Sequence, residues 1–549
     1  MSQIHWITPN LPTRLDNFKT MPLPGTDQTY FPVTFIHHVP GALSVDRLKE
    51  AIAQVLSIYP HAAGRLQRNE DNTVWEISLS RSPVPLTVVE AFPNQPVPTS
   101  QEIVSGYQPI LDPPPWMFEP PVDAHKYPLI RWKLTRYSFG TITRMQRHES
   151  ILVVHACHVL GDGSLVRYIQ QTLSDLYQNP NGTPSVPLPT FENYWIAAER
   201  SRKSSPDISK ARQEVLKEHL FDLQPAVANR TSSQDLSLKE TEMQMQKWID
   251  STEAIQYQFS AEQMDLLQRI AMETQLPPFQ TPVGGKQERL VRVSKADAIL
   301  AYMFTVFNRV YPEKFDRLVN VIGYRGRKSS EPEAFPPSTS AGNLNFQVIL
   351  PLKYSIPRAK QLDVGYMALV FRRMTLKFQH DHEFVKDAVR LNEYELDASQ
   401  NDQAGSSSRW KPLGPGVLGA NLLHHTPVHH AHFGFGPSKV RFWAHPSVPH
   451  YIRMFPANPE PLAEADSLDT AQAASEWQPA PKGAVSVVLR VEKQYAKSMM
   501  DVVKMDMEEM EVRNRALREP VRPTGTVDVW KRVPPRPDAE VHVPALHRL

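Results

Sequence analysis

The residues best suited to chemistry lie in one short run of the chain, from His155 to Gly163, which contains two histidines, a cysteine and an aspartate. The apolar stretch over 151–158 predicts a β-strand, in which successive side chains point to opposite faces. Cys157 and His158 therefore cannot act together as a nucleophile and its base, and His155 and His158 are poorly placed to share a metal ion. One imidazole remains, at the very end of the strand.

His158 is suited to the role of a general base. A free imidazole has a pKa of ~6.5, and a helix predicted to start near Ser164 would place its positive end beside the ring and lower that pKa. The unprotonated ring would then accept a proton from a hydroxyl or an amine. The alternative is a buried, hydrogen-bonded histidine with a purely structural role.

Asp162 follows His158 by four residues, with Gly161 and Gly163 on either side. Glycine accepts backbone dihedral angles that other residues avoid, so a tight turn is predicted here, with unusual angles at both glycines. The carboxylate would cap the helix that follows or pair with an arginine elsewhere in the chain. Its expected role is therefore structural, and His158 is the expected proton acceptor.

Hydrophobic periodicity predicts the elements that position this run. In the first half, a strand over 31–38 precedes a helix that Ser44 caps and Pro60 ends. Two short strands follow near Leu66 and over 74–79. A strand, a tight turn and an amphipathic helix then form the candidate site. In the second half, the pattern predicts a helix that begins at Ser294 and strands over 256–259, 318–322, 345–350 and 484–491.

The length predicts two domains. A chain of 549 residues exceeds the roughly 250 to 300 residues that one hydrophobic core supports. The alternation of strands and helices indicates an α/β fold of mixed α and β elements. The predicted divisions are an N-terminal domain over 1–200, a crossover linker over 201–245, a C-terminal domain over 246–518 and a tail without periodicity over 519–549.

Composition excludes several classes of protein. The 60 basic and 58 acidic side chains give a net charge of +2, which supplies no electrostatic footprint for nucleic acid or an anionic membrane. The single cysteine, Cys157, excludes an intrachain disulfide and a multi-thiolate metal centre, and it fits a reducing compartment. The sequence shows neither a hydrophobic leader nor about 20 consecutive apolar residues. We therefore expect a cytoplasmic protein that is not inserted in a membrane.

Several segments resemble the BAHD family of acyl-CoA-dependent acyltransferases. The run from His158 to Gly163, with Asp162 between them, resembles the family's HxxxDG signature. Four further segments, in the family's order, resemble its P-x-x-AGRL, S-x-x-DALxA, R-x-R with GN, and DFGWG landmarks: Pro60 to Leu66, Ser294 to Ala301, Arg325 to Arg327 with Gly342-Asn343, and His432 to Gly436. The resemblance implies the chloramphenicol acetyltransferase-like fold, with two domains, each a mixed sheet flanked by helices, joined by a long crossover.

The resemblance also implies roles for single residues. His158 would be the general base. Asp162 would point away from the reaction and pair with an arginine, for which Arg325 is the candidate. Gly163 of the first landmark and Phe433, Gly434 and Gly436 of the last would have structural roles.

The implied activity is the transfer of an acyl group from acyl-CoA to a hydroxyl or amine of a small-molecule acceptor, such as a specialised metabolite. Acyl-CoA would be a co-substrate, with no permanently bound cofactor, and a monomer is expected. The two substrates would enter a channel between the domains from opposite ends and meet at His158. Two alternatives stay open: a condensation-type domain that takes acyl groups from a carrier protein, and a catalytically silent relative that binds a ligand.

The chain departs from the family pattern at its last landmark. His432 stands where the family has aspartate and Phe435 where it has tryptophan, so any salt bridge of that aspartate is absent or replaced. Upstream of this landmark, where the family often has a Thr or Ser and a Trp, Asn421 is a candidate amide donor to the oxyanion. Basic side chains that would meet the phosphates of CoA, although solvated charge explains each equally well, are Lys286, Arg289, Arg292, Lys328 and Lys439.

A cluster of histidines near the last landmark raises the question of a metal site. Its members are His424, His425, His429, His430 and His432. In a strand, His430 and His432 would share a face, but two such ligands without a neighbouring carboxylate make a poor zinc site. We therefore expect no metal here and interpret the segment as a polar loop that leads into a strand.

Overall fold

Among the residues that it describes, a computed structural model of the chain contains two large β-sheets with helices packed against them, together with one small sheet of three strands and one of two. The residues that it describes are 2–10, 13, 19–23, 32–70, 75–106, 108–111, 123–139, 147–191, 222–223, 238–274, 292–326, 337–351, 364–381, 416–445, 448–461 and 477–518. Within these ranges, no helix combines the length and the apolar character needed to cross a bilayer. The predicted tail over 519–549 and most of the predicted crossover lie outside the described residues.

The helices of the described residues are distributed over both halves of the chain. They are α1 (Val45–Ile58), α2 (Ser100–Ser105), α3 (Gly163–Gln178), α4 (Leu238–Ser251), α5 (Ala261–Glu273), α6 (Lys295–Val310), α7 (Gly365–His380) and α8 (Lys493–Arg518).

The strands are mostly short. They are β1 (Ser2–Ile7), β2 (Thr20–Pro22), β3 (Pro32–Val39), β4 (Arg65–Arg68), β5 (Trp75–Ser78), β6 (Val84–Glu90), β7 (Ile130–Phe139), β8 (Arg147–Cys157), β9 (Asp222–Leu223), β10 (Thr252–Phe259), β11 (Arg317–Gly323), β12 (Asn345–Pro351), β13 (Val417–Leu422), β14 (Arg441–Ala444), β15 (Tyr451–Pro456), β16 (Glu460–Pro461), β17 (Trp477–Gln478) and β18 (Val485–Glu492).

The first sheet has six strands in the order β1-β6-β7-β8-β3-β14. It is mixed, because β6 and β7 are parallel and the other neighbours are antiparallel. Alternate side chains of β8, such as Leu152, Val154 and Ala156, join the core that also contains the apolar faces of α1 and α3. The edge strand β14 comes from the second half of the chain, so this sheet is completed by a distant segment.

The second sheet has seven strands in the order β10-β18-β15-β13-β11-β12-β9. The pairs β11–β13 and β13–β15 are parallel, which makes this sheet mixed as well. Its core includes side chains of α5, α6, α7 and α8. Every residue of α6 from Ala296 to Asn308 is buried, as expected for a helix that is covered on all sides.

Local sequence signals explain where the main helices begin. The Ser44 hydroxyl accepts from the Arg47 N–H at 3.4 Å and caps α1. Ser294 caps α6 in a capping box, in which the Asp297 side chain accepts from the Ser294 N–H at 2.9 Å. The predicted helix starts at both serines are therefore confirmed, as are the strands that became β3, β8, β11, β12 and β18.

Some elements were not predicted from the sequence. The long helix α8 lies in a segment for which we predicted no element, and α4 begins at Leu238, inside the predicted crossover linker. β9, also from that linker, pairs with β12 at the edge of the second sheet. The exact domain boundaries remain a prediction.

The two sheets contact each other through a small apolar cluster. From the first sheet it contains Ile36, Val153 and Trp443, and from the second Ala254 and Val488. Most of their neighbours along each strand belong to the two larger cores. Each sheet therefore has one face covered by helices and another directed at the opposite sheet.

Candidate active site

His158 lies directly after β8, which ends at Cys157, and it begins a 3₁₀ turn over His158–Leu160. The expectation that strand alternation sets its direction was therefore wrong, because the backbone has already left the sheet. Gly161 has φ 145°, and a Cβ at this position would lie 2.4 Å from a side-chain carbon of α3. Gly163 simply begins α3 without a positive φ, so the unusual backbone is confined to Gly161.

The His158 ring is partly exposed, and its Nδ1 is buried without a well-aligned hydrogen bond among the described residues. The Asn343 side-chain amide donates to the His158 carbonyl at 2.8 Å, so a residue of the second half holds the turn. Burial lowers the pKa of the ring; nearby Asp162 and Asn343 oppose this, and the Arg453 charge reinforces it. The imidazole is neutral as expected, with burial as the main cause.

The Asp162 carboxylate accepts four hydrogen bonds. Its Oδ1 accepts from the backbone N–H groups of Ser164 at 3.0 Å and Leu165 at 3.1 Å, which caps α3. Its Oδ2 accepts from Nη2 of Arg325 at 3.0 Å and from the Leu344 N–H at 3.2 Å. Burial alone would raise the pKa of Asp162, but the Arg325 charge and these hydrogen bonds lower it overall. One side chain thus combines both predicted contacts, the helix cap and the arginine partner.

Arg325 follows β11 in the second half of the chain, so its ion pair with Asp162 joins the two halves. The Arg325 and Asp162 side chains are only 7% and 8% exposed. Nη2 of Arg325 also donates to the Gly342 carbonyl at 2.7 Å. Gly342 in turn forms a parallel β-bridge with Gly161. The turn that carries His158 is therefore held by side-chain and backbone contacts from the opposite half.

The loop from His432 to Gly436 packs against the C-terminal part of α3. Phe433 is buried, its N–H donates to Oγ of Ser174 at 2.8 Å, and its ring meets that of Tyr177 edge-on with centroids 5.8 Å apart. Phe433, Gly434 and Gly436 all have positive φ, at 52°, 93° and 90°. The last landmark thus forms a backbone-constrained loop that contacts the first half.

The two departures from the family pattern have local explanations. Nδ1 of His432 accepts from the Gly434 N–H at 3.2 Å, so an imidazole supplies an acceptor within the loop. Burial lowers the pKa of His432, an effect opposed by Asp175 of α3. The Phe435 ring fills the space above Gly41, where a Cβ would lie 2.4 Å from Cε1 of that ring.

Asn421 lies on β13, in register with Val321 of β11 and Arg453 of β15. Side chains at paired positions of neighbouring strands share a face, so Asn421 stands beside an arginine whose charge acts on His158. The proposed contact of its amide with the oxyanion remains a prediction.

Two of the five basic residues considered for CoA are described by the structure. Arg292 precedes α6 and Lys439 lies in a 3₁₀ turn, and both are exposed. Lys286, Arg289 and Lys328 lie outside the described residues. A contact of any of them with CoA remains a prediction.

The histidine cluster forms turns and not a strand. Val428–His430 is a 3₁₀ turn, and the segment leads into β14, so the interpretation as a polar loop before a strand is confirmed and His430 and His432 do not share a strand face. The His429 ring hydrogen-bonds with Oδ1 of Asn458 at 3.1 Å. In the part of the chain that the structure describes, no three His, Cys, Asp or Glu side chains converge as a metal site would require.

No family model and no curated protein matches this chain. Solved structures do. The chain is similar to F. graminearum TRI101 complexed with coenzyme A and T-2 mycotoxin, at 13% identity over 90% of this chain and 98% of that one, with a TM-score of 0.54. It is similar to vinorine synthase at 14% identity, 91% and 96% coverage and a TM-score of 0.51. It is also similar to the condensation domain of the monacolin K polyketide synthase MokA, at 11% identity over 90% of this chain and 97% of that one, with a TM-score of 0.51.

At these identities the similarity establishes the fold alone. The chain has the chloramphenicol acetyltransferase-like fold, with mixed sheets and flanking helices, and the match extends over nearly all of its length. The predicted fold class is therefore confirmed.

Two residues of the site had no role in the sequence analysis. Asn343 was noted only as the second residue of the Gly-Asn landmark, and its contact with the His158 carbonyl requires the fold. Arg453 lies in a strand without a recognisable motif. A charged residue in an otherwise largely apolar strand was the one signal in the sequence that pointed to it.

Proposed function

We propose that the protein is a BAHD-type acyltransferase that moves an acyl group from acyl-CoA to a hydroxyl or amine of a small-molecule acceptor. One observation carries the proposal. His158, a neutral and partly accessible imidazole, sits on a turn held between the two halves by the buried Asp162–Arg325 pair. Burial that shifts the pKa of a titratable ring in this way is typical of functional sites.

In the proposed reaction, His158 accepts the proton of the acceptor as its oxygen or nitrogen attacks the thioester carbonyl. A C–O or C–N bond forms, and the carbonyl oxygen becomes an oxyanion, for which Asn421 is the candidate donor. The C–S bond then breaks, and the departing CoA sulfur takes the proton back from the imidazolium. A thiol with a pKa of about 8.5 is a good leaving group, so no covalent acyl-enzyme is needed.

Acyl-CoA is the proposed donor. A structural neighbour supports this, because F. graminearum TRI101 was solved with coenzyme A and with ethyl coenzyme A. The same protein was solved with T-2 mycotoxin, a small molecule. We extend both features, a CoA donor and a small acceptor, to this chain, together with a monomeric state and a cytoplasmic location.

The condensation-type alternative has a structural neighbour in the MokA condensation domain. Domains of that type usually carry a second histidine directly before the one that corresponds to His158. Cys157 occupies that position here and is buried in the core of the first half. Replacement of this histidine by a buried apolar residue favours the CoA-dependent function.

The test is thiol release from a mixed acyl-CoA pool in the presence of a cell extract, with detection of the new acylated mass. We expect His158→Ala to lower turnover by about 10²- to 10⁴-fold, which is the usual contribution of a general base. Loading the same acyl groups on a carrier protein should give no transfer.

His148→Ala is the matched control. His148 lies on β8, the same strand, where it is partly exposed and its ring hydrogen-bonds with Ser138 at 3.1 Å. We expect this variant to retain wild-type turnover. Unchanged thiol release by His158→Ala, or transfer from the carrier protein alone, would refute the proposal.

A further inference from the structure

Arg453 occupies the middle of the second sheet and points toward the first. Its neighbours in the strand, Ile452 and Met454, belong to the core beneath the helices, so the Arg453 side chain lies on the other face. The paired residue on β18 is Val488, which is part of the apolar cluster between the sheets. The guanidinium is therefore directed into the space between the two sheets.

The guanidinium has an incomplete set of partners. One Nη1 hydrogen bond goes to the His445 carbonyl, and the group lies near the Tyr451 ring, with Cζ 5.7 Å from the ring centroid. Within the described ranges, no carboxylate lies within ion-pair distance of Arg453. A planar guanidinium presents five N–H donors, so several remain available to another group.

Two other arginines of the inner faces provide a contrast. Arg441 and Arg490 are also largely buried, and burial lowers the pKa of each, but carboxylates offset this: Glu460 and Glu149 for Arg441, Asp250 and Glu253 for Arg490. For Arg453 the opposing group is the phenol of Tyr451, which is uncharged at neutral pH. Arg453 is thus a partly buried cation, and no carboxylate of the described residues is among the groups that act on it.

On the opposite wall, Glu149 shares a face of β8 with the inward-facing Ile151 and Val153 but is paired with His38. Two histidines on this side are uncharged. His445 follows β14, and burial, with Arg453 and Arg490 nearby, lowers its pKa to about 3. His155 of β8 hydrogen-bonds with the Thr34 hydroxyl at 2.8 Å, and burial lowers its pKa to about 3. Both rings are therefore neutral, so neither adds a charge beside Arg453, whose own charge acts on His158.

We propose that Arg453 binds a carboxylate of one of the two substrates, close to the atom that reacts at His158. This inference rests on the proposed function. A buried arginine without a counter-ion is costly, and a bidentate carboxylate matches its geometry. The phosphates of CoA are a pantetheine arm away from the thioester, so they do not reach a cation that acts on His158.

The carboxylate has two possible sources, which are separated by matched pairs of ligands. A dicarboxylic acyl group is represented by malonyl-CoA, with acetyl-CoA as its uncharged counterpart. An acidic acceptor is represented by 4-hydroxybenzoate, with methyl 4-hydroxybenzoate as its uncharged counterpart. Binding of all four to the full chain is measured by titration calorimetry, which requires no turnover.

In one of the two pairs, we expect the carboxylate ligand to bind about tenfold to a hundredfold more tightly than its counterpart, as a charged hydrogen-bonded pair provides. Arg453→Gln should abolish this preference. Arg453→Lys should reduce it, because an ammonium cannot form the bidentate contact. The control is Arg441→Gln, because Arg441 already has carboxylates nearby. This variant should keep the preference for the carboxylate ligand.

The outcomes separate this inference from the proposed function. A preference that is absent from both ligand pairs in the wild-type protein overturns the carboxylate site, as does a preference that persists in Arg453→Gln. If Arg453→Gln does not fold, the wild-type preference and its reduction in Arg453→Lys decide the matter. Ligand binding with no thiol release under any condition would instead refute the acyltransferase while the carboxylate site stands.

Discussion

The second half of the chain contacts α3 at both ends of that helix, by different means. At the N-terminal end, Arg325 and the backbone of Leu344 bind the Asp162 carboxylate in a buried ion pair. Toward the C-terminal end, the contact is uncharged: Phe433 packs against Tyr177 and donates one hydrogen bond to Ser174. The same helix is thus held once by charge and once by apolar packing.

The difference indicates a division of roles. A buried ion pair adds little net stability, because desolvation offsets the attraction, but it has strict geometry. It is found where the turn of His158 must be placed accurately. Apolar packing stabilises in proportion to the area buried and tolerates small shifts, which suits the end remote from the proposed chemistry.

The largest effect is expected from breaking the charged contact. Asp162→Asn leaves the Arg325 guanidinium buried without a counter-charge. We expect the free energy of unfolding to fall by about 3 to 5 kcal/mol, and turnover of the folded fraction to fall as well, because the turn of His158 loses its support. Urea unfolding and thiol release measure the two effects.

A double variant separates position from stability. In Asp162→Asn with Arg325→Met, no buried charge is left without a partner, and the Asn side-chain oxygen can still accept from the N–H groups that begin α3. We expect most of the stability to return while turnover stays low. Full recovery of both would show that the ion pair has no positioning role.

A smaller effect is expected at the uncharged contact. Phe433→Leu keeps most of the apolar volume but removes the edge-on aromatic contact with Tyr177. We expect the free energy of unfolding to fall by about 1 to 2 kcal/mol, with turnover per folded molecule unchanged. A loss of turnover as large as that of Asp162→Asn would contradict the division of roles.

The sequence predicts these two contacts unequally. Asp162 is predicted as a cap from its place before a helix, and its pairing with Arg325 from a family resemblance. The direction of the His158 side chain, predicted from strand alternation, was wrong, because the 3₁₀ turn that begins at this residue leaves no periodic signal in the sequence. The docking of the 432–436 loop on α3 depends on contacts across the chain, such as Phe433 with Ser174.

In the sheets, too, single strands could be predicted from the sequence, but their neighbours could not. Periodicity predicts β3 and β8, because alternation of apolar residues is a property of the segment itself. It does not predict that β14, a strand of four residues from the second half, completes the first sheet beside β3. Strand neighbours separated by several hundred residues are chosen by tertiary packing, for which a single sequence carries no local signal. Arg453 became part of the site for the same reason.

The smallest expected effect is on the pH dependence of the free energy of unfolding, to which the two contacts should contribute differently. His37 lies beside the loop, with its ring centroid 6.1 Å from that of Phe433. Burial, and to a lesser degree His429, lower its pKa from 6.5 to about 3. Between these values the unfolded chain binds the proton and the folded protein does not, so stability falls with decreasing pH, by about 1.4 kcal/mol per unit for one such group. The pKa of Asp162 is lowered below 3.8, so this carboxylate stays ionised in both states over most of that window.

Urea unfolding at pH 4.5 and 5.5 measures the slope, to which the other buried histidines also contribute. His37→Leu should reduce the slope by about 1.4 kcal/mol per pH unit, whereas Asp162→Asn should lower stability at both values and leave the slope unchanged. An identical slope in the wild type and His37→Leu would mean that His37 is protonated in the folded protein. The uncharged contact would then have a charge beside it, and the two ends of α3 would no longer differ in kind.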